Sequence, residues 1–358
     1  MSLSDYRSLG RSGLIVSPIA LGTMTFGTKP WGVDKNTARE IFKAYVDKGG
    51  NFVDTADIYS LGLSEEMTGE FIQEMNLRDQ IVLATKFAFN SSSSPLSTNQ
   101  SLGNPNAGGS GAKNIHRALN ASLQRLKTDY IDLYWMHIWD GVTPVEEIIQ
   151  TLQDLVTSGK IRYYALSDMP AWLATKAATI SNERRRPQPI AIQFEYSLVA
   201  REIEREHIPA ALDAGMGIVP WSPLAGGFLT GKYKREDTSN TGRLSGANPF
   251  GNSKFSNQNW IILAALKKVS ENHGCSLSQA ALAWLMTRPG VSSTLIGASK
   301  VTQLQDNLGA LELKMSAENL KALDLASART MGFTDTLASS DIRKMVYGGN
   351  EVAGWADR

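Results

Sequence analysis

The sequence predicts a (β/α)8 barrel, also called a TIM barrel, and three observations support this fold. Short runs rich in β-branched residues alternate with longer amphipathic stretches along the chain. Most successive runs begin roughly 30 residues apart, the length of one strand and one helix. Eight such units favour a closed barrel over an open sheet. No linker separates them, so we predict that residues 1–358 form one domain.

The predicted elements follow from these patterns in chain order. The eight strands are expected at residues 19–21, 51–54, 81–85, 131–137, 160–166, 190–194, 217–220 and 293–296. Helical periodicity is clearest at residues 36–48, 113–127, 145–157 and 278–288. Asp34 is expected to cap the first helix and Gly49 to end it. Before the first strand, residues 6–9 and 14–17 flank a glycine-rich turn and predict a small N-terminal β-hairpin.

Two intervals after strands are unusually long, and both are expected at the C-terminal face of the barrel, where active sites lie. Residues 88–112 follow the third strand, and residues 232–257 follow the seventh. Two insertions on one face favour a lid or binding role over tolerated surface loops. The barrel core is expected over about residues 9–313, with extra helices at 259–272 and 317–328 and an irregular tail at 329–358.

Composition and charge exclude several classes of protein. The 36 Lys and Arg residues nearly balance 35 Asp and Glu residues, so no concentrated basic surface suggests a nucleic-acid partner. The single cysteine, Cys275, excludes an internal disulfide and a thiolate metal cluster. No apolar run is long enough for a membrane span, and the N-terminus lacks the apolar region of a signal peptide. We therefore expect a cytoplasmic protein.

The sequence contains no complete P-loop, Rossmann or metal-ligand motif. Residues 226–232 resemble a phosphate-binding P-loop, but Tyr233 stands where a Ser or Thr would hold magnesium. No Gly-x-Gly-x-x-Gly motif follows the first strand, so a Rossmann fingerprint is absent. The four histidines have no paired ligand spacing, so no metal site is expected.

Four polar residues instead fall at or just beyond predicted strand ends. Asp54 ends the second strand and Tyr59 follows it, while Lys86 and His137 close the third and fourth strands. A tyrosine hydroxyl is normally too weak an acid for neutral pH, but a nearby ammonium favours the phenolate. An aspartate can hold that lysine, and a histidine can donate to a carbonyl oxygen as negative charge develops. The quartet predicts proton delivery to a carbonyl receiving a hydride, which requires a cofactor.

On these residues, the chain resembles the aldo-keto reductase superfamily from about residue 9 to residue 313. Asp54, Tyr59, Lys86 and His137 match the catalytic tetrad of that family in order and local sequence. Segments at residues 22–23, 159–162, 193–196, 221–224 and 295–307 match as well. The likeness points to the branch that includes potassium channel β subunits and bacterial aldo/keto reductases. It implies a barrel that binds a nicotinamide cofactor without a Rossmann domain.

The resemblance also implies positions for that cofactor. Gly22 and Thr23 belong to this set with Asp54. Ser167, Asp168 and Gln193 would contact the carboxamide, and Trp221 would stack on the nicotinamide. The pyrophosphate would follow Ser222, Pro223, Leu224, Ala225, Gly226, Lys232 and Arg243, and the adenosine end would lie against Gly297, Ser299, Lys300, Gln303, Asp306 and Asn307.

The resemblance implies NADP(H) in preference to NAD(H), because Lys300 and Ser299 are placed to meet a 2′-phosphate. Two positions depart from the family pattern. Gln303 stands where many members have arginine, and Asp168 replaces the usual asparagine. A carboxylate accepts a hydrogen bond from a carboxamide but cannot donate one.

The leading hypothesis is therefore an oxidoreductase that reversibly reduces a small aldehyde or ketone. Aromatic residues Trp31, Phe87, Phe89 and Trp139 follow strands one, three and four and predict an apolar substrate pocket. Two alternatives remain: a cofactor-binding regulatory subunit with little turnover, and a barrel hydrolase or isomerase, which lacks the second carboxylate or metal typical of such chemistry. The substrate, the reaction direction and any homo-oligomer stay open.

Overall fold

A computed structural model of the chain describes residues 1–27, 32–90, 103–235, 244 and 252–352. It confirms the predicted N-terminal hairpin, in which β1 (Arg7–Ser8) pairs antiparallel with β2 (Ile15–Val16). Among the described residues, no helix is long and apolar enough to cross a membrane.

Eight parallel strands form the barrel, as the sequence predicts. They are β3 (Ile19–Gly22), β4 (Phe52–Asp54), β5 (Val82–Phe87), β6 (Ile131–Met136), β7 (Ile161–Ser167), β8 (Ala191–Glu195), β9 (Gly217–Trp221) and β10 (Thr294–Ile296). Each pairs with the next, and β10 pairs with β3. A parallel bridge from Ile218 to Val291 joins β9 to the segment before β10 and closes the ring.

The helices surround this barrel. They are α1 (Lys35–Asp47), α2 (Leu63–Glu74), α3 (Ala112–Arg125), α4 (Val145–Thr157), α5 (Ala171–Glu183), α6 (His207–Asp213), α7 (Asn257–His273), α8 (Leu277–Met286), α9 (Val301–Leu308), α10 (Ala317–Ala326), α11 (Phe333–Leu337) and α12 (Ser340–Val346). The Asp34 side chain accepts from the Thr37 amide at 2.9 Å and caps α1, as predicted. The predicted irregular tail is corrected in one respect, since it contains the short helices α11 and α12.

Alternation along the strands divides the core into two layers. Phe52, Ala84, Leu133 and Trp135 belong to the apolar cluster inside the barrel, while the residues between them on the strands face the surrounding helices. The hairpin contributes buried Leu9 to the inner cluster and so covers the N-terminal end of the barrel. At the opposite end of the barrel, the C-terminal ends of the strands carry polar residues such as Asp54, Lys86 and Gln193.

The first strands are locked together by a buried tyrosine of α1. The single proton of the Tyr45 hydroxyl is shared between the carbonyl oxygens of Ile19 at 2.8 Å and Phe52 at 3.0 Å, and the hydroxyl oxygen accepts from the Phe52 amide at 3.2 Å. A Cβ on Gly50 would lie 2.4 Å from the Tyr45 ring, so glycine is required there. This contact sets β3 and β4 in register below the C-terminal end of β4, where Asp54 lies.

We expect Tyr45→Phe to lower the free energy of unfolding by about 1–3 kcal/mol, because it leaves the buried amide of Phe52 unsatisfied. Tyr6→Phe is the matched control, since the Tyr6 hydroxyl is exposed and donates to the Gly49 carbonyl oxygen, and surface changes usually cost less than about 0.5 kcal/mol. Urea unfolding followed by circular dichroism measures both. Equal destabilisation by the two variants would contradict this role.

Candidate active site

The structure brings the four predicted catalytic side chains together at the C-terminal end of the barrel. Asp54 is the last residue of β4, Lys86 lies in β5, and Tyr59 and His137 follow β4 and β6. The Lys86 ammonium forms an ion pair with the Asp54 carboxylate and donates to the Tyr59 hydroxyl at 3.3 Å. The Tyr59 and His137 rings meet edge to face, with centroids 5.7 Å apart.

Asp54 and Lys86 are completely buried, and each depends on the other for its charge. Burial alone would lower the pKa of Lys86, but the charge of Asp54 and the neighbouring Tyr59 raise it above its usual value. Burial raises the pKa of the Asp54 carboxyl, against the opposing charge of Lys86. Lys86 also donates to the Thr55 carbonyl oxygen at 2.9 Å, and Gln193 donates to Asp54 at 3.2 Å. The ammonium is therefore fixed against the tyrosine.

His137 is a neutral imidazole in this setting. Its pKa is held well below the usual value, first by burial and then by the positive charge of Lys86. Its backbone amide donates to the Phe87 carbonyl oxygen at 2.9 Å, and its Nδ1 atom is buried without a partner among the described residues. A neutral imidazole carries one N–H, so it can donate a hydrogen bond to a carbonyl oxygen without supplying a charge.

The turn after Tyr59 is strained, which sequence reasoning missed. Ser60 and Leu61 both have left-handed backbones, with φ of 51° and 56°, and Gly62 follows at 96°. Such non-glycine conformations cost free energy and persist where surrounding contacts fix them. Here the Ser60 hydroxyl donates to the Phe26 carbonyl oxygen at 2.9 Å. The left-handed residues come directly after Tyr59, so the contacts that hold this turn also help to fix the position of that tyrosine.

A buried polar group supports this turn from the helix layer. The Arg125 side chain packs against Gly62, and a Cβ at that glycine would lie only 2.7 Å from it. The Arg125 guanidinium donates to the Glu65 carboxylate at 2.6 Å. Glu65 is completely buried and accepts from Thr85, one residue before Lys86, at 2.5 Å. The sequence carries no local signal for this link, because Glu65 and Arg125 are 60 residues apart.

The residues predicted to contact a carboxamide converge on neighbouring strands. Ser167 ends β7, Gln193 lies in β8 and Trp221 ends β9. Asp168, with a left-handed φ of 43°, accepts from Trp221 Nε1 at 3.2 Å and from Ser167 Oγ at 3.3 Å. Burial raises the pKa of Asp168 to about 6.

The segment after β9 is a tight turn built from residues with left-handed backbones. Ser222, Ala225, Gly226 and Gly227 all have left-handed φ values, and the Gly226 amide donates to Ser222 Oγ at 3.2 Å. A Cβ on Gly227 would lie 2.7 Å from the Lys232 ammonium nitrogen, so glycine lets this cation approach the turn. Pro223 and Leu224 belong to the same turn, whereas Arg243 lies outside the described residues.

The predicted adenosine residues cluster around the start of α9. Lys300 is the exposed N-cap residue of this helix and follows the end of β10 and Gly297. The Ser299 amide and hydroxyl both donate to the Gln303 side chain at 2.9 Å. Asp306 instead accepts from Ser276 at 2.9 Å and Gln279 at 3.0 Å, which ties α9 to α8, and Asn307 is buried.

Gly22 and Thr23 lie at the end of β3, next to Asp54. The Thr23 amide donates to the Asp54 carbonyl oxygen at 2.9 Å, and its hydroxyl bonds to the same oxygen and to Ser64. Thr23 is completely buried, so its hydrogen bonds help to fix the C-terminal end of β4 and the position of Asp54.

The donor set fits a nicotinamide dinucleotide. Four features lie at the C-terminal ends of the strands or just after them, at the same end of the barrel. They are the predicted carboxamide contacts Ser167, Asp168 and Gln193, the indole of Trp221, the glycine turn with Lys232, and the N-terminus of α9. A carboxamide needs both donors and acceptors, and phosphates favour cations and helix N-termini. By contrast, no group of three or more His, Cys, Asp or Glu side chains in the described ranges is arranged to hold a metal ion.

Aromatic side chains lie beside His137 and after the neighbouring strand. The Phe89 ring meets His137 edge to face at 4.9 Å, and Trp139 meets Trp172 in the same way at 5.4 Å. Trp172, in the first turn of α5, is 54% exposed. Sequence reasoning missed it, although a tryptophan soon after the end of β7 was an available signal.

One predicted pocket residue is corrected and another lies outside the described residues. Phe87 is completely buried and packs on Tyr134, with ring centroids 4.9 Å apart. It follows Lys86 in β5, and because successive side chains on a strand point to opposite faces, it faces the helices. Trp31 lies outside the described residues.

Comparisons with known proteins agree with this geometry. The model of the aldo/keto reductase family matches residues 18–328. Norsolorinic acid reductase B of Aspergillus parasiticus is 33% identical over 95% of this chain and 88% of its own length. Aryl-alcohol dehydrogenase [NADP(+)] of Phanerodontia chrysosporium is 33% identical, covering 90% of this chain and 85% of its own length. The oxidoreductase YrpG of Bacillus subtilis is 35% identical over 89% of this chain and 95% of its own length.

The barrel, the tetrad in one cluster and a family match over most of the chain all lead to the same conclusion. The chain belongs to the aldo/keto reductase family of oxidoreductases.

Proposed function

We propose that the protein is an NADP(H)-dependent reductase of aromatic aldehydes and ketones, acting reversibly on the corresponding alcohols. The observation that carries this proposal is the Lys86 ammonium held between the Asp54 carboxylate and the Tyr59 hydroxyl. This arrangement suits proton transfer to an oxygen that gains negative charge. No observation favours a regulatory subunit without turnover.

A nicotinamide cofactor held by Gln193, Asp168 and Trp221 would supply the hydride for the carbonyl carbon, and the carbonyl π electron pair would pass to the oxygen. Tyr59 donates its proton to that oxygen, which completes the alcohol. Lys86 stabilises the phenolate that remains, at the 3.3 Å separation seen here. His137, neutral because burial and Lys86 lower its pKa, donates a hydrogen bond to the same oxygen. Asp54 is a positioning residue, since it acts through Lys86.

The apolar edges of the site support an aromatic substrate. The Phe89 ring contacts His137, Trp139 follows His137 by two residues, and Trp172 of α5 packs on Trp139. Flat rings pack edge to face or offset against such side chains. The aryl-alcohol dehydrogenase among the relatives, named for an aromatic substrate, agrees with this choice.

The preference for NADP(H) rests on Lys300. Its exposed side chain stands at the N-terminus of α9, where the helix dipole and backbone N–H groups also favour an anion. Lys300 has no ion pair within the described residues, so its charge is available to a 2′-phosphate. The printed name of the aryl-alcohol dehydrogenase relative includes NADP(+), which agrees.

We expect Tyr59→Phe to lower kcat for benzaldehyde reduction by about 100- to 10,000-fold, the usual contribution of a positioned general acid. The dissociation constant for NADPH should change little, because the ring remains and only the hydroxyl is lost. NADPH absorbance gives the rate, and fluorescence titration gives cofactor binding.

Tyr6→Phe is the matched control for this experiment, because Tyr6 contacts Gly49 near the hairpin, away from the site. It should retain wild-type turnover. Full activity in Tyr59→Phe, or an equal loss in both variants, would remove Tyr59 from the role of acid.

We expect Lys300→Met to weaken NADPH binding by about tenfold while leaving NADH binding within about twofold, because only NADPH carries the 2′-phosphate. Calorimetric titration with both cofactors measures this. Lys48→Met, which removes an exposed lysine at the end of α1, should affect neither cofactor. Equal weakening of both cofactors by Lys300→Met would argue against a 2′-phosphate contact.

A further inference from the structure

Asp168 is a partly buried carboxyl group at the active site that has no cationic partner in contact. Its two oxygens accept from neutral donors, Trp221 Nε1 at 3.2 Å and Ser167 Oγ at 3.3 Å. No ion pair involves it within the part of the chain that the structure describes. A carboxylate withdrawn from water without a cation is unfavourable, so this group would gain from a positively charged ligand.

The backbone holds Asp168 firmly in this place. Its amide donates to the Gln193 carbonyl oxygen at 3.3 Å, and its carbonyl oxygen accepts from the Trp139 amide at 3.5 Å. The left-handed φ of 43° turns the chain sharply at the end of β7. Contacts from β8 and from the loop after β6 therefore fix the carboxyl group beside the Trp221 indole.

A nicotinamide ring beside this carboxyl group offers a charge that depends on its redox state. The oxidised ring is a cation, whereas the reduced ring is neutral. Both forms carry the same carboxamide, so both can donate an amide N–H to the carboxylate. Only the oxidised form adds an attraction between opposite charges, and that attraction is larger in a partly desolvated site than in water.

We propose that the Asp168 carboxylate makes this enzyme bind the oxidised cofactor more tightly than an asparagine at the same position would, while leaving the reduced cofactor almost unaffected. The inference rests on the proposed function, since it places the nicotinamide beside Asp168 and Trp221. It makes Asp168 a residue that sets the balance between the two redox forms on the enzyme. By linkage, the equilibrium between the bound species moves toward the oxidised cofactor and the alcohol, which is the direction of carbonyl reduction.

Protonation should cancel this effect. Burial raises the pKa of Asp168 to about 6, while the charge of Lys86 lowers it and that of Glu195 raises it. Glu195 is itself paired with Lys254 at 2.5 Å, and this cation offsets the charge of Glu195. Burial is therefore the main cause of the raised pKa of Asp168. Above pH 6 the group is charged and favours the oxidised ring. Below pH 6 it gains a proton, and the preference is lost as the pH falls.

The test is calorimetric titration of NADP⁺ and NADPH into the wild type and Asp168→Asn, at about pH 8 and about pH 5.5. The quantity compared is the dissociation constant for NADPH divided by that for NADP⁺. At the higher pH we expect this ratio to be about tenfold larger in the wild type than in Asp168→Asn. The ratio should move toward that of the variant at the lower pH. Asp79→Asn, which removes an exposed carboxylate elsewhere, should keep the wild-type ratio at both pH values.

The outcomes separate this inference from the function on which it rests. If wild type and Asp168→Asn bind both forms with the same ratio at both pH values, the inference is wrong and the function stands. If the wild type binds neither form, both are wrong. The pH comparison needs no variant, so a failure of Asp168→Asn to fold still leaves a decisive result: a wild-type ratio independent of pH overturns the proposal.

Discussion

The site depends on one buried ion pair, that of Asp54 and Lys86. Both groups are withdrawn completely from water, and removing one partner of such a pair usually costs about 3–5 kcal/mol because the other charge is left unpaired. The pair also organises its surroundings, since Gln193 donates to Asp54 while Lys86 donates to Thr55 and Tyr59. Burying the two charges is unfavourable in itself, but it holds the Lys86 ammonium at a fixed position against the Tyr59 hydroxyl. An exposed lysine would be too mobile to do this.

The barrel makes this arrangement possible because it presents the ends of parallel strands around one opening. Asp54 and Lys86 come from adjacent strands β4 and β5, while Asp168 and Trp221 reach the same opening after β7 and at the end of β9. One negative group there is paired with a lysine and the other is held only by neutral donors. The first positions a proton donor, and the second, in our proposal, responds to the charge of the cofactor.

Much of the fold, and the clustering of the four candidate catalytic residues, could be predicted from the sequence. Strand and helix periods are local, so the eight strands were found within about two residues. Asp54, Lys86 and His137 were recognisable because strand ends of a barrel share one face.

What sequence reasoning missed depends on distant contacts or on side-chain direction. Phe87 was placed in the pocket because it follows Lys86, yet strand alternation turns it toward Tyr134. The link from Glu65 to Arg125 arises only when α2 and α3 pack together, and the left-handed turn at Ser60 has no sequence signal such as glycine at that position. Trp172 was overlooked although its position after β7 resembled that of the aromatic residues that were noticed.

The most direct test of the account is a double-mutant cycle between Lys86→Met and Tyr59→Phe, measured as the single-turnover rate of benzaldehyde reduction with saturating cofactor. If Lys86 acts through the tyrosine, Lys86→Met slows the wild type strongly but slows Tyr59→Phe hardly at all, so the two losses are far from additive. Cofactor titration of each variant establishes that the site is still formed. Fully additive losses, or a Lys86→Met variant as fast as the wild type, would contradict the account.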